Sequence, residues 1–157
     1  MSHTLRATPI TAHEPADPRP ASRRATDDLL RRALALPEQD AALLHAVYVD
    51  HMRMTSLAAL TGIPIRALRR RLRSLTQRLM TPEFDFIAAR AHTWPAPRRQ
   101  IAHALFILGK PLRQTARDLG LSLHTVRQHA AHLGALCEAA RTLAAEFARR
   151  ERTIRDA

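Results

Sequence analysis

The chain has 157 residues and a formal net charge of +11, from 25 Lys and Arg against 14 Asp and Glu. Hydrophobic residues make up 46% and aromatic residues only 4%, so any core rests on Leu, Ala, Ile and Val. Few alternating β-branched runs exclude an extensive sheet, the lack of a run of about 18 apolar residues excludes a membrane-spanning segment, and a lone Cys137 excludes an intramolecular disulfide.

An all-α fold is therefore expected, built from the strong helix formers Ala, Leu and Arg. The basic excess favours a polyanionic partner, nucleic acid before an acidic membrane. Lys110 is the only lysine, so a GC-rich genome explains part of the preference for Arg, although it leaves the charge in place. The single thiol makes a reducing cytoplasm the simplest location.

Residues 1–25 carry Pro9, Pro15, Pro18 and Pro20 among small polar residues, a composition that buries too little surface to order itself. They read as a disordered basic arm, with Arg19, Arg23 and Arg24 either facing phosphates or making no contact. Glu14 and Asp17 and the lack of amphipathic period weigh against a transit peptide. A helix is expected after Thr26, where Asp27 and Asp28 suit the positive end of a helix dipole, running to a stop near Pro37. A second starts around Glu38–Asp40. Residues 26–80 form the first unit on this reading. Residues 81–97, with Pro82, Pro95 and Pro97, read as a linker kept against the body by Phe84, Phe86, Ile87 and Trp94. Residues 98–135 form the second unit, and 136–157 a separate C-terminal helix.

Residues 43–75 laid over 101–133, an offset of 58, match at His45/His103, Ala46/Ala104, Ala58/Ala116, Gly62/Gly120, Arg69/Arg127 and Leu75/Leu133. Apolar pairs fill the remaining helical positions, among them Leu43/Ile101, Ile65/Leu123 and Leu68/Val126. In the second copy a helix over Ile101–Leu108 is broken by Gly109, Lys110 and Pro111. A short helix, Leu112–Leu119, ends at Gly120, which suits the left-handed corner. Leu121 then points inward, and Ser122 is placed to cap the next helix. Short helix, glycine turn, second helix is the helix-turn-helix pattern.

The segment ARDLGLSLHTVRQHAAHL resembles the helix-turn-helix of sigma-factor region four and of LuxR-type regulators. LAALTGIPIRALRRRLRSL resembles the same superfamily, with Pro64 in the position of Ser122. The resemblance covers roughly 80 residues and brings no sensor or receiver domain with it. It implies two tandem units, each laying its second helix in the major groove of double-stranded DNA. Carried over by position, the contact residues are Ser122, His124, Thr125, Arg127 and Gln128 in the second copy, with Ala131 exposed beside them. Arg127 then pairs with guanine and Gln128 with adenine. In the first copy they are Arg66, Arg69, Arg70 and Arg73. Arg66, Arg69, Arg70, Arg71, Arg73 and Arg78 form a run without an intervening acid, whose mutual repulsion a phosphate would relieve. A solvated basic face is the alternative.

After Leu133, apolar residues recur at Leu136, Cys137, Ala140, Leu143, Ala144 and Phe147, one stripe of a helix. The resemblance makes Leu136, Ala140, Leu143 and Phe147 a candidate homodimer seam, while the bland alternative folds this helix back over its own core. His124, His129 and His132 are spaced i+5 and i+3, which does not bring them to one face, so no metal is expected. No cofactor is expected either, and no phosphate-cradling glycine loop or nucleophile elbow points to an enzyme. Two functions follow: a sequence-specific transcription regulator, with repression the favoured sign, or a protein-interaction module that binds RNA polymerase or an activator without reading DNA.

Overall fold

The computed structural model describes residues 22–155, and among them all regular secondary structure is helical. Eight α-helices follow in order: α1 (Arg23–Ala33), α2 (Glu38–Tyr48), α3 (Met54–Thr61), α4 (Ile65–Leu79), α5 (Pro82–Arg90), α6 (Ala96–Ala102), α7 (Leu112–Leu119) and α8 (Leu123–Arg155). A 3-10 turn over Ala91–Thr93 precedes α6, and a π-helical turn over His103–Ile107 extends it. The expected all-α class with a long C-terminal helix holds. The basic arm falls mostly on residues 1–21, outside the described residues.

The 58-residue offset governs the backbone. Glu38 and Ala96 open helices, Met54 and Leu112 open the next, Thr61 and Leu119 close them, and Ile65 and Leu123 open the last, every pair 58 apart. The period reaches further back than the side-chain matches, because α1 and α5 occupy the same place. Leu29 on α1 and Ile87 on α5, also 58 apart, are both fully buried. α1 packs on α2 and α4, and α5 packs on the π turn and α8. The chain is thus two four-helix units joined at α4 and α5, with one continuous apolar core.

Three expectations need correcting. α1 begins at Arg23, not after Thr26, because the Ser22 hydroxyl accepts the Ala25 N–H at 3.3 Å and caps it. A direct cap on the first turn outweighs the dipole preference for Asp27 and Asp28, which fall in the second turn. Residues 81–97 pack on the body as expected, but they do so as a helix and a 3-10 turn and not as a plain linker. Thr81 caps α5 through the Phe84 N–H at 3.3 Å, Pro82 sits in its first turn, and Glu83 and Asp85 favour its positive end. α5 then buries Phe84 and Ile87 completely. Pro82, Pro95 and Pro97 mark helix starts rather than breaks, as do Pro37, Pro64 and Pro111. Finally, the helix predicted over Ile101–Leu108 starts at Ala96 and changes pitch, with the Leu108 N–H reaching back to the His103 carbonyl at 2.9 Å.

The units are stitched by Arg32. Its Nη1 donates to the Leu79 carbonyl at the end of α4 at 2.8 Å, while Nη2 pairs with Asp85 of α5 at 2.6 Å. One α1 side chain thereby caps a helix of its own unit and grips the first helix of the next.

Candidate nucleic-acid interface

Each unit ends in a short helix, a three-residue turn and a longer helix. Gly62 and Gly120 close the short helices with φ of 70° and 64°, in the left-handed region where a side chain is strained. After Gly120, the Ser122 hydroxyl accepts the Thr125 N–H at 3.0 Å, the cap its spacing predicts. After Gly62, Pro64 takes the capping position without a side-chain bond, and its carbonyl accepts the Leu68 N–H at 3.1 Å. Val126 is held by the Ser122 carbonyl at the same 3.1 Å.

Helical periodicity then decides which side chains face out. On α4, Leu68, Leu72, Leu75 and Leu79 form one buried stripe. Arg66, Arg70 and Arg73 are exposed on the opposite side, with Arg69 half-buried beside them. On α8, Val126, Leu133 and Cys137 are buried, and His124, Arg127, Gln128 and Ala131 are exposed. Thr125 is half-buried, and its hydroxyl meets that of Ser122 at 2.8 Å, so both belong to the cap as much as to the outer face. The candidate contact residues therefore gather in two clusters, one at the start of each unit's last helix.

The arginine run is not one face. Arg71 points sideways to Asp40 of α2, with Nε and Nη2 each 2.7 Å from the same carboxylate oxygen. Arg78, one heptad on, is tucked against Gly109, where an added Cβ would run into its Nη1. Burial lowers the Arg78 pKa from its ordinary value, with Asp40 pulling the other way. The run without an intervening acid does meet an acid in space, so repulsion is a weaker argument for a phosphate partner than the sequence suggests. Sequence reasoning missed Asp40, Arg71 and Gly109 as a group because Asp40 lies 31 residues before Arg71. It also passed over α7, whose Arg113 and Arg117 are exposed.

α8 runs unbroken through the boundary expected at residue 136. At 1.5 Å per residue its 33 residues span about 50 Å. Leu136 and Ala140 are half-buried, and every residue from 141 to 155 is exposed, including Leu143 at 55% and Phe147 at 63%. That distal half does not fold back over the core. Cys137 is buried at the start of this stretch, and burial, then the charge of Glu83, push its thiol pKa up.

Among the described residues no three His, Cys, Asp or Glu side chains form a group able to hold a metal ion, and no helix is long and apolar enough to cross a membrane. Comparison of the chain with protein-family models, with curated proteins and with solved structures finds no match.

Proposed function

We propose that the protein is a sequence-specific DNA-binding transcription regulator that presents two helix-turn-helix units from one chain. The observation that carries this reading is the pairing, in register, of a left-handed glycine turn with an outward polar helix face in both units. A protein using only one copy for a protein contact has no need of a basic outer face on α4 and a donor-rich one on α8. Arg127 and Gln128 are suited to bidentate contacts with guanine and adenine, and the α4 arginines to phosphates. Repression by occupying a promoter requires nothing beyond these groups. A cytoplasmic location, in contact with the chromosome, goes with this function.

A homodimer is part of the proposal. The exposed Leu143 and Phe147 continue the half-buried Leu136 and Ala140 along α8, and an amphipathic helix projecting alone in water is marginal without a partner for its apolar stripe. The same stripe favours the second reading, a protein-interaction module, if the partner is another protein.

The test is fluorescence anisotropy with the duplex upstream of the protein's own gene and a scrambled duplex, across a salt series. Specific binding is expected to exceed the scrambled control by about a thousandfold or more. No binding to either duplex at low salt overturns the DNA reading. Sedimentation of the full chain and of Phe147→Glu tests the dimer, which the substitution is expected to dissociate.

A further inference from the structure

Between the two units lies a cleft of about 580 Å³ that shares only Arg70 with the candidate DNA contacts. Asp40 of α2, the flank of α4 and the Leu108–Gly109 turn of the second unit form its walls. Arg70, Arg71 and Arg78 line it against the single carboxylate of Asp40, and Ser74 adds a hydroxyl. Asp40 is already engaged by two donors of Arg71.

Arg78 is different. Its Nε and Nη2 are buried and have no hydrogen-bond partner. These two nitrogens form the edge of the guanidinium that offers parallel N–H groups, the fork that fits two oxygens of one phosphate. Orphan buried donors on a cation carry a large desolvation cost and call for an explanation such as a bound ion. Arginine does not relieve that cost by losing its proton, because its pKa lies above any working pH. An anion relieves it.

We propose that this cleft holds a phosphate oxyanion, gripped side-on by the Nε and Nη2 edge of Arg78 and closed at the rim by Arg70 and Ser74. Entry requires the guanidinium to swing away from Gly109, a movement of the free end of a flexible side chain. The equivalent position 58 residues on is Leu136, so only the first unit carries the fork. Two sources supply the oxyanion: a small free phosphate compound, or a backbone phosphate of bound duplex.

Thermal unfolding of the full chain, followed by the fluorescence of Trp94, is measured with inorganic pyrophosphate and with sodium chloride at matched ionic strength. A free ligand gives a saturable rise in Tm with pyrophosphate alone, with half-saturation at least tenfold weaker in Arg78→Leu. Should Arg78→Leu fail to fold, Arg78→Met, which keeps an unbranched stem of similar length, carries the comparison. A duplex source gives no pyrophosphate effect, but Arg78→Leu, or Arg78→Met in its place, lowers the slope of log affinity against log salt by about one. Equal pyrophosphate stabilisation of wild type and the folded variants, or neither effect, overturns the proposal. The pyrophosphate arm contains no DNA, so its failure is distinct from failure of the DNA reading.

Discussion

The unit of α1–α4 and the unit of α5–α8 share a backbone and differ in their outward chemistry. Their helix boundaries repeat at 58 residues, and so do small details: the Met52 N–H bonds the Ala46 carbonyl, and the Lys110 N–H the Ala104 carbonyl, both at 2.9 Å. His51 and Gly109 hold the same positive-φ corner. Outside the core the units part. The first concentrates its charge on α4 and leaves α3 without a charged residue, whereas the second divides it between Arg113 and Arg117 on α7 and Arg127 on α8. Core positions and the glycine turns are constrained by packing and backbone strain, so they persist. The outer faces are not held by packing, so they are free to differ, and on the proposed function they take unlike tasks.

The largest expected effect tests whether α5 is a true counterpart of α1. Leu29→Ala and Ile87→Ala are each expected to cost about 3 kcal/mol in urea unfolding, because both remove a fully buried side chain from the shared core. A loss below about 1 kcal/mol at Ile87 alone, against that expected cost, breaks the equivalence.

The glycine corners sharpen the comparison. Gly62→Ala, Gly109→Ala and Gly120→Ala each force a Cβ into the left-handed region, at about 1–2 kcal/mol. Space around Gly62 and Gly120 is open, and the Gly109 Cβ meets the flexible end of Arg78, which can move aside, so Gly109→Ala is expected to lose only slightly more than the other two. Arg78→Leu in the same chain should remove that small excess, measured as a double-mutant cycle.

Thr115 stands where the first unit has Leu57. It is fully buried and its hydroxyl has no partner. Thr115→Val keeps the shape, removes the orphan group, and is expected to raise stability by about 1 kcal/mol in urea unfolding. A loss there means that the hydroxyl is satisfied by bound water.

The smallest effect is electrostatic. The folded state holds the Cys137 thiol above its ordinary pKa, so the neutral form is favoured and the fold binds this proton more tightly than the unfolded chain does. Stability relative to Cys137→Ala is therefore constant below the ordinary thiol range and falls as pH rises through it toward the folded value. A difference between the two proteins that stays flat through that range contradicts the burial argument.

Part of this was legible in the sequence. The α3 and α7 helices, their glycine corners and the buried Leu68, Val126 and Leu133 follow from a 3.6-residue apolar period punctuated by Gly62 and Gly120. α5 did not, because Pro82 reads as a breaker until Thr81 is seen to cap the turn that contains it. The α4 face was half legible: periodicity separates Arg66, Arg70 and Arg73 from the leucines. That Arg71 and Arg78 leave the group depends on Asp40 and Gly109, which only folding brings near.

The division of labour is tested most directly by removing each outer face in turn and measuring anisotropy with specific and scrambled duplexes across salt. Arg66→Gln, Arg70→Gln and Arg73→Gln together should lower the salt slope by about three units, near 0.9 per phosphate, with discrimination between the duplexes retained. Arg127→Ala with Gln128→Ala should leave the slope nearly unchanged and cut discrimination by about 1–3 kcal/mol per lost contact. Equal losses of slope and discrimination in the two variants would contradict the account and make the units interchangeable.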